Sequence, residues 1–323
     1  MQQAEIQWEY TACPGCGQEK AQPFHTGEDR LYGVKGEFGL VQCDVCRLIY
    51  LNPRPALTSI GHLYPDWYTQ HQSLDRKQNR LRRFISALLQ KKRIKSIERI
   101  RRLKQDDRLL DVGCGAGLFL SVVRDHRGVQ TTGVELNHGV AARCRTQQGL
   151  DVRGGTLLEQ EFPGDTFDVV TMFQYFEHES QPLSVLREAR RILKPDGLLI
   201  IEVPNAGGVL AGLFRGNWLG MDVPRHLVNY TPETLATMVR RGGFEVMGIS
   251  FQPVAFLLLS VLIQLGIPNM LRFLPLRVTM IMLHAMWLPL VPLEIAVGWL
   301  LGRLRRSDII CMFSKPAAPS RLP

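Results

Sequence analysis

The segment LLDVGCGAGLFL, residues 109–120, restricts the possible folds of this chain more than any other stretch. An apolar run is closed by glycines at positions 113, 115 and 117, and apolar residues follow at once. This order is typical of a strand, a tight loop and a helix, because glycine lets the backbone turn sharply and approach a ligand closely. We therefore expect Gly113, Gly115 and Gly117 to cradle a nucleotide-like ligand.

Short apolar segments alternate with helical ones beyond this loop. The β-rich run VQTTGVELN contains Glu135, about twenty residues after the glycines, where an acid in a nucleotide-binding unit hydrogen-bonds the ribose hydroxyls. Further strands are predicted at TFDVVTMF, LKPDGLLIIEVPN, GFEVMGISF and DIICMFSK. Strands that alternate with helices predict an α/β fold with a mostly parallel sheet.

Two C-x-x-C pairs near the N-terminus predict a metal site. They are CPGCG and CDVC, with cysteines at Cys13, Cys16, Cys43 and Cys46. Two such pairs can supply four thiolates to one tetrahedral zinc ion. Because four protein ligands leave no open coordination position, the zinc (Zn²⁺) is predicted to be structural, and the segment to be a zinc ribbon.

The motifs DVGCGAG, VELN, FDVVTMFQYFEH and LKPDGLLIIEVPN together resemble those of the class I S-adenosylmethionine-dependent methyltransferases. The likeness is closest to the quinone-biosynthesis O-methyltransferases, and the cysteine pairs with the following LIYLNPRP resemble the zinc-ribbon-bearing branch. The resemblance covers residues 10–252 and the last strand. It implies S-adenosyl-L-methionine as cofactor and a Rossmann-like seven-stranded sheet whose final strand is antiparallel.

The resemblance also implies roles for residues around the cofactor. The glycine loop would hold the methionine moiety, with Asp111 steadying the loop or the methionine amine. Glu135 would hold the ribose. Gln174 and Tyr175, at the end of the fourth strand, would line the methyl-donor pocket.

One position departs from the family pattern. After the third strand the family usually has Gly-Asp, whose acid contacts adenine, whereas this chain has Gly155 and Thr156. Adenine recognition is therefore expected to rest on Thr156, Glu159 or backbone amides.

Two histidines lie where an acceptor could bind, because each follows a predicted strand of the sheet. His178 is in FEHES and His226 is in PRHL, a segment that resembles the acceptor-side loop of the family. Methyl transfer to oxygen requires removal of a proton, and His226 is our preferred general base. Each histidine could instead bond the backbone near a helix cap. Arg225 and Trp218 are candidate contacts to an anionic or ring-bearing acceptor.

The predicted acceptor is a hydroxyl of a small, lipid-linked or glycan-type molecule. The alternative is RNA or another nucleic acid, bound by the zinc ribbon and a basic helix. Enzymes that methylate exocyclic base amines carry an Asn/Asp-Pro-Pro-aromatic run after the fourth strand, where this chain has QYFE. A nucleic-acid acceptor is therefore disfavoured.

The formal net charge of +9 is concentrated between Arg76 and Lys104, where Glu98 is the only acid. Apolar residues recur there at helical spacing, at Leu81, Phe84, Ile85, Leu88, Ile94, Ile97, Ile100 and Leu103. Three interpretations stay open: a solvated helix packed on the main domain, a helix on an anionic membrane surface, and a nucleic-acid contact.

A second apolar region precedes the last strand and is interrupted by Gln264, His284, Glu294 and several prolines. It is predicted to be a re-entrant or interfacial helical pair at an anionic membrane surface, with a buried lid or a dimer interface as alternatives. The N-terminus lacks the pattern of a secretion signal, so we expect a cytoplasmic protein, peripheral or monotopic on the membrane.

These features divide the chain into five predicted parts. They are a zinc ribbon (1–55), a connection with a basic amphipathic helix (56–106), a methyltransferase core (107–252), an apolar insert (253–305), and the last core strand with a tail (306–323).

Overall fold

The computed structural model describes residues 6–29, 32–64, 80–252, 257–267, 278 and 288–318. The strands are β1 (Trp8–Glu9), β2 (Ala21–Glu28), β3 (Glu37–Cys43), β4 (Ile49–Leu51), β5 (Arg54–Pro55), β6 (Arg108–Val112), β7 (Gln130–Glu135), β8 (Asp151–Gly154), β9 (Phe167–Phe173), β10 (Leu193–Pro204), β11 (Val228–Asn229), β12 (Phe244–Gln252) and β13 (Ile309–Pro316). The α-helices are α1 (Arg80–Glu98), α2 (Leu118–Arg127), α3 (His138–Gln148), α4 (Pro182–Ile192), α5 (Val209–Phe214), α6 (Pro232–Arg241), α7 (Leu257–Gln264) and α8 (Val291–Arg303).

The central sheet has seven strands in the order β12–β13–β10–β9–β6–β7–β8. β13 pairs antiparallel with β10 and β12, whereas β6 to β10 run parallel. β9 is buried at every position, and its side chains alternate between two hydrophobic clusters, one on each face of the sheet. The predicted α/β fold with an antiparallel final strand is confirmed.

Local signals start and stop the helices that flank this sheet. The Asn137 side chain accepts a hydrogen bond from the Val140 amide and begins α3, and Thr231 accepts one from the Thr234 amide and begins α6. Gly128, in the left-handed region, ends α2. These short connections place the loops after β6, β7 and β9 at one edge of the sheet, where open α/β folds bind ligands.

A second sheet has four strands in the order β11–β4–β3–β2. Three of its strands belong to the N-terminal ribbon, but β11 follows His226 in the core, and Val228 pairs with Tyr50 of β4. The Leu51 amide also donates to the Leu227 carbonyl at 2.9 Å. The ribbon sheet is therefore completed by the core segment that carries the predicted general base.

The basic helix α1 packs on the core through its C-terminal half. Ile94 and Ile97 are buried against the α2 side of the sheet, which favours the interpretation of a helix packed on the main domain. Leu88 and Ile100 are more than 40% exposed, so the apolar spacing does not mark one continuous buried face. The helix ends at Glu98, and helical periodicity cannot hold beyond that point.

The apolar insert contributes α7 and α8 to the described structure. Residues 253–256, 268–277 and 279–287 lie outside it, and with them much of the predicted helical pair. Among the residues that are described, no helix is both long and apolar enough to cross a membrane.

Candidate active site

The glycine loop after β6 has the backbone conformation that its sequence predicts. Gly113, Gly115 and Gly117 have φ values of 72°, 53° and 74°, in the left-handed region that favours glycine. The amides of Gly113 and Cys114 both donate to the Val134 carbonyl, at 2.8 and 3.1 Å. These bonds join the loop to the end of β7.

Glu135 ends β7 with its carboxylate beside the glycine loop. One carboxylate oxygen accepts a hydrogen bond from the Gly115 amide and the other from the Asn137 amide, both at 2.9 Å. Burial raises the pKa of this carboxyl. The acid is thus fixed next to the loop, in the position expected for a ribose contact.

Asp111, near the end of β6, bonds across to the neighbouring strand β9. The Thr171 hydroxyl donates to the Asp111 carboxylate at 2.6 Å. Burial raises the pKa of Asp111 to about 7, although the bond from Thr171 opposes this shift. The side chain therefore ties together the two strands that flank the predicted methionine site.

Arg93 was not singled out from the sequence, yet α1 carries it to the same edge of the sheet. Its guanidinium pairs with Glu202 of β10 and lies 4.4 Å from the ring centroid of Phe173. Asp111 is close enough to contribute to its charge environment. One arginine in a segment crowded with lysine and arginine gives no sequence signal that it turns inward.

Thr156 begins the 3₁₀ turn Leu157–Glu159 as its N-cap. The Glu159 carboxylate accepts a hydrogen bond from the Thr156 amide at 2.7 Å, in a capping box. The Gly155 amide donates to the Glu135 carbonyl at 3.0 Å. Thr156 and Glu159 therefore lie beside the ribose-binding candidate, although both are already engaged with each other.

Gln174 and Tyr175 follow β9, and the Tyr175 ring lies against the glycine loop. A Cβ placed on Gly113 would lie 2.5 Å from Cδ2 of Tyr175, so the tyrosine ring packs directly on that glycine. Gln174 has a φ of 53°, and within the described residues its buried Nε2 has no hydrogen-bond partner. A buried donor without a partner fits a site that a ligand completes.

His226 is held in one orientation beside the site. Its Nδ1 lies 2.8 Å from the Gly220 carbonyl. Because a carbonyl only accepts, Nδ1 carries the proton and Nε2 keeps its lone pair. Nε2 lies 3.9 Å from carboxylate oxygens of both Glu177 and Asp222. Burial lowers the pKa of His226, so the imidazole is held neutral and able to accept a proton.

His178 packs edge-on against His226, with ring centroids 4.6 Å apart. Its Nδ1 lies 3.0 Å from both the Tyr64 hydroxyl and the Arg225 carbonyl. Burial, followed by the charge of His226, lowers the pKa of His178 to about 3. The structure thus brings the two predicted catalytic histidines together.

Glu177 is the acid that the sequence reasoning missed, although it adjoins His178 in FEHES. Its side chain is 1% exposed, and among the described residues neither carboxylate oxygen has a hydrogen-bond partner. Burial raises its pKa to about 8. Ligand atoms of Glu177, His178 and His226 all lie within 4.8 Å of one another. The donor types of this trio suit a divalent cation.

Arg225 and Trp218, the two other predicted acceptor contacts, differ in their polar partners. Both side chains are buried, at 1% and 2% exposure, and Arg225 bonds Asp29 and Asp222. The Arg225 guanidinium is therefore engaged by protein carboxylates, whereas the Trp218 Nε1 has no hydrogen-bond partner among the described residues, and an acceptor contact by Trp218 stays a prediction.

The four predicted zinc ligands converge in the ribbon. Sγ of Cys13 and Cys46, and Sγ of Cys16 and Cys43, are 3.5 Å apart, and all four sulfurs lie within 4.8 Å of one another. A tetrahedron with Zn–S bonds of about 2.3 Å places its sulfurs about 3.8 Å apart. Burial opposes ionisation of Cys43, but the amides of Cys46 and Val45 lower its pKa to about 7. The sulfur geometry fits a structural zinc.

Comparisons with known proteins agree with this architecture. A family model described as a methyltransferase domain matches residues 75–248, more than half of the chain. A ubiquinone biosynthesis O-methyltransferase of Cereibacter sphaeroides is 31% identical over 163 residues, which cover 46% of this chain and 66% of that protein. One of Pseudomonas aeruginosa is 30% identical over 162 residues, covering 45% of this chain and 69% of that protein.

A solved structure supports the fold alone. It is a Galdieria sulphuraria protein assigned to the sarcosine dimethylglycine methyltransferases, with a TM-score of 0.50 and 16% identity. The superposition covers 71% of this chain and 84% of that protein.

Proposed function

Because this chain belongs to the class I S-adenosylmethionine-dependent methyltransferases, we propose that it methylates a hydroxyl oxygen of a small or lipid-linked acceptor. The observation that carries the proposal is the acceptor-side cluster. His226 presents the lone pair of Nε2, and its other nitrogen is fixed by the Gly220 carbonyl. A neutral imidazole held in one tautomer suits removal of a hydroxyl proton.

The bound cofactor supplies a methyl carbon on a sulfonium. Attack by the acceptor oxygen on that carbon would break the carbon–sulfur bond, and the electron pair of that bond would go to sulfur. His226 Nε2 takes the hydroxyl proton, so the oxygen does not develop a positive charge. The Asp222 carboxylate, 3.9 Å from Nε2, can stabilise the resulting imidazolium. The products are a methyl ether and S-adenosylhomocysteine.

The cofactor side follows from the same edge of the sheet. Glu135 would accept hydrogen bonds from the ribose hydroxyls, and Asp111, Gln174 and Tyr175 would border the methionine moiety. Arg93 would place a partly buried positive charge opposite the methionine carboxylate, as its contact with Phe173 at the end of β9 suggests.

The apolar acceptor is supported by the exposed face of α8. Leu293, Ile295, Trp299 and Leu300 are each more than half exposed, whereas Glu294 is buried. Arg303 stacks on Trp299 at 4.0 Å, and Arg305 and Arg306 follow as exposed residues. An apolar face with a cationic end suits an anionic membrane surface. We place the enzyme at that surface, next to a lipid-linked acceptor.

The test uses purified protein with S-adenosylmethionine tritiated in the methyl group. Three acceptor preparations are compared: a prenylated dihydroxybenzene in mixed micelles, total cell lipid, and total RNA. We expect label in an ether of a lipid or prenylated acceptor. His226→Asn should lower the rate by roughly 10²- to 10⁴-fold, the usual contribution of a general base. The exposed His126→Asn is the matched control. Label in RNA, or full activity of His226→Asn, would overturn the proposal.

A further inference from the structure

Arg225 links the N-terminal ribbon to the acceptor-side histidines. Its two terminal nitrogens donate to the two carboxylate oxygens of Asp29, at 2.7 and 2.9 Å. Neither side chain has any exposure to solvent. The Asp29 carboxylate also accepts hydrogen bonds from the amides of Tyr32 and Val34, at 2.9 and 3.1 Å. The guanidinium is therefore held by a carboxylate that two backbone amides of the ribbon also bind.

The same arginine reaches the catalytic candidates from its other side. Its Nε donates to the Asp222 carboxylate at 3.1 and 3.2 Å. Asp222 is one of the two acids that lie 3.9 Å from His226 Nε2. The Arg225 carbonyl, in turn, lies 3.0 Å from Nδ1 of His178. A displacement of Arg225 would thus move groups that contact both histidines.

Other contacts place the ribbon against the same segment. A Cβ on Gly216 would lie 2.2 Å from the Thr26 carbonyl, so this loop packs directly on the backbone of β2. The Tyr32 ring centroid lies 4.3 Å from the Arg225 guanidinium carbon. The core therefore meets the ribbon on both sides of the Asp29–Arg225 pair.

Stability alone is a poor reason for this arrangement. A buried ion pair gains little over well-packed apolar side chains of similar volume, because both charges must leave water. A bidentate pair does fix position and angle, since the guanidinium fork matches a carboxylate in one geometry. The Asp29–Arg225 pair is therefore suited to fixing the orientation of the groups around it.

We propose that Asp29 and Arg225 are positioning residues for methyl transfer, and that the ribbon thereby builds one side of the acceptor site. The proposal rests on the proposed function in one respect, that His226 faces the acceptor. It assigns the ribbon a role in turnover of the acceptor and none in cofactor binding.

The test is Asp29→Asn in the full-length protein. The amide keeps the shape of the side chain but offers one acceptor oxygen where the carboxylate offered two. Glu98→Gln is the matched control, because Glu98 makes a bidentate pair with Arg127, at 2.7 and 2.6 Å, between α1 and α2. Each variant is measured for zinc content, S-adenosylmethionine affinity, the tautomers of His226 and His178 by ¹⁵N-histidine NMR, and turnover of the labelled acceptor.

We expect Asp29→Asn to keep its zinc and to bind S-adenosylmethionine within about twofold of wild type. Its His178 signal should change from one tautomer to a mixture, because the Arg225 carbonyl contacts Nδ1 of that ring, and kcat should fall at least about tenfold, a loss of about 1.4 kcal/mol in transition-state stabilisation. Asp29→Glu should restore part of kcat. Glu98→Gln should match wild type in every measurement.

Asp29→Asn with a single His178 tautomer and wild-type kcat would overturn the proposal. If Asp29→Asn does not fold, the same measurements on Arg225→Lys test the proposal, since lysine keeps the positive charge but cannot form the bidentate pair. A tautomer change in Asp29→Asn together with full activity of His226→Asn would leave the positioning role standing and remove the proposed function.

Discussion

Replacing Glu177 with glutamine should make the protein more stable while impairing methyl transfer. The carboxyl is fully buried, and burial moves its pKa from 4.5 to about 8. Between those two pH values the unfolded chain has released the proton that the folded protein still holds. The folded state therefore loses stability as the pH rises from 4.5 to 8, by up to about 1.4 kcal/mol per pH unit. Glutamine carries no ionisable proton, so Glu177→Gln does not lose this stability as the pH rises.

The size of the effect follows from the same two pKa values. At pH 7 the wild-type protein should be about 3 kcal/mol less stable than Glu177→Gln, and above pH 8 the difference should approach about 5 kcal/mol. Below pH 4.5 it should vanish. Urea unfolding of the cofactor-free proteins at pH 4.5, 7 and 9 measures it, with the exposed Glu19→Gln as control for the loss of one charge.

A wild-type protein that is as stable as Glu177→Gln at pH 9 would refute this reasoning. It would mean that the carboxylate is ionised and compensated in the fold, as it would be by a cation bound to Glu177, His178 and His226. The same variants should separate stability from function. Glu177→Gln is expected to lower kcat with the cofactor affinity unchanged, because the carboxyl lies on the acceptor side.

Three further predictions concern the cofactor, the metal and the membrane. Glu135→Ala and Gly115→Val should weaken S-adenosylmethionine binding in calorimetry, the first by about 1–3 kcal/mol for lost hydrogen bonds to a charged group, and wild-type affinity in both would contradict the cofactor site. Zinc analysis should find one ion per wild-type chain and almost none in Cys13→Ser/Cys43→Ser, and retained zinc would show that the ligands lie elsewhere. Wild-type protein should sediment with vesicles that contain anionic lipid, and high salt should weaken this binding. Trp299→Ser/Leu300→Ser should bind the vesicles less than wild type. The control Leu57→Ser, which alters another exposed leucine, should bind them as wild type does.

The fold was predictable because its signals are local and periodic. Three glycines after an apolar run, an acid about twenty residues on, and alternating strands and helices describe a nucleotide-binding sheet without knowledge of any long-range contact. The two cysteine pairs predicted the sulfur cluster for the same reason, because the spacing of zinc ligands is visible in the sequence.

The acceptor side was less predictable because burial there depends on partners far away in sequence. Arg225 was a candidate contact to the acceptor, but its guanidinium binds Asp29, which lies 196 residues earlier in the chain. Arg93 could not be distinguished from its basic neighbours, and its partner Glu202 is 109 residues away. The pKa of Glu177 follows from its enclosure, and a single acid in a loop carries no sign of that.

Strand β11, which the core contributes to the ribbon sheet, has a consequence for the order of folding. Tyr50 and Val228 are paired in one sheet, yet 178 residues separate them in the chain. During synthesis the cysteine clusters leave the ribosome first and can take up zinc, but their sheet stays one strand short until β11 emerges. Pairs so distant form late, because a long loop must close before they gain anything. We therefore expect the ribbon to finish folding in the same step that assembles the loop of His226, so that no early intermediate carries a finished acceptor site.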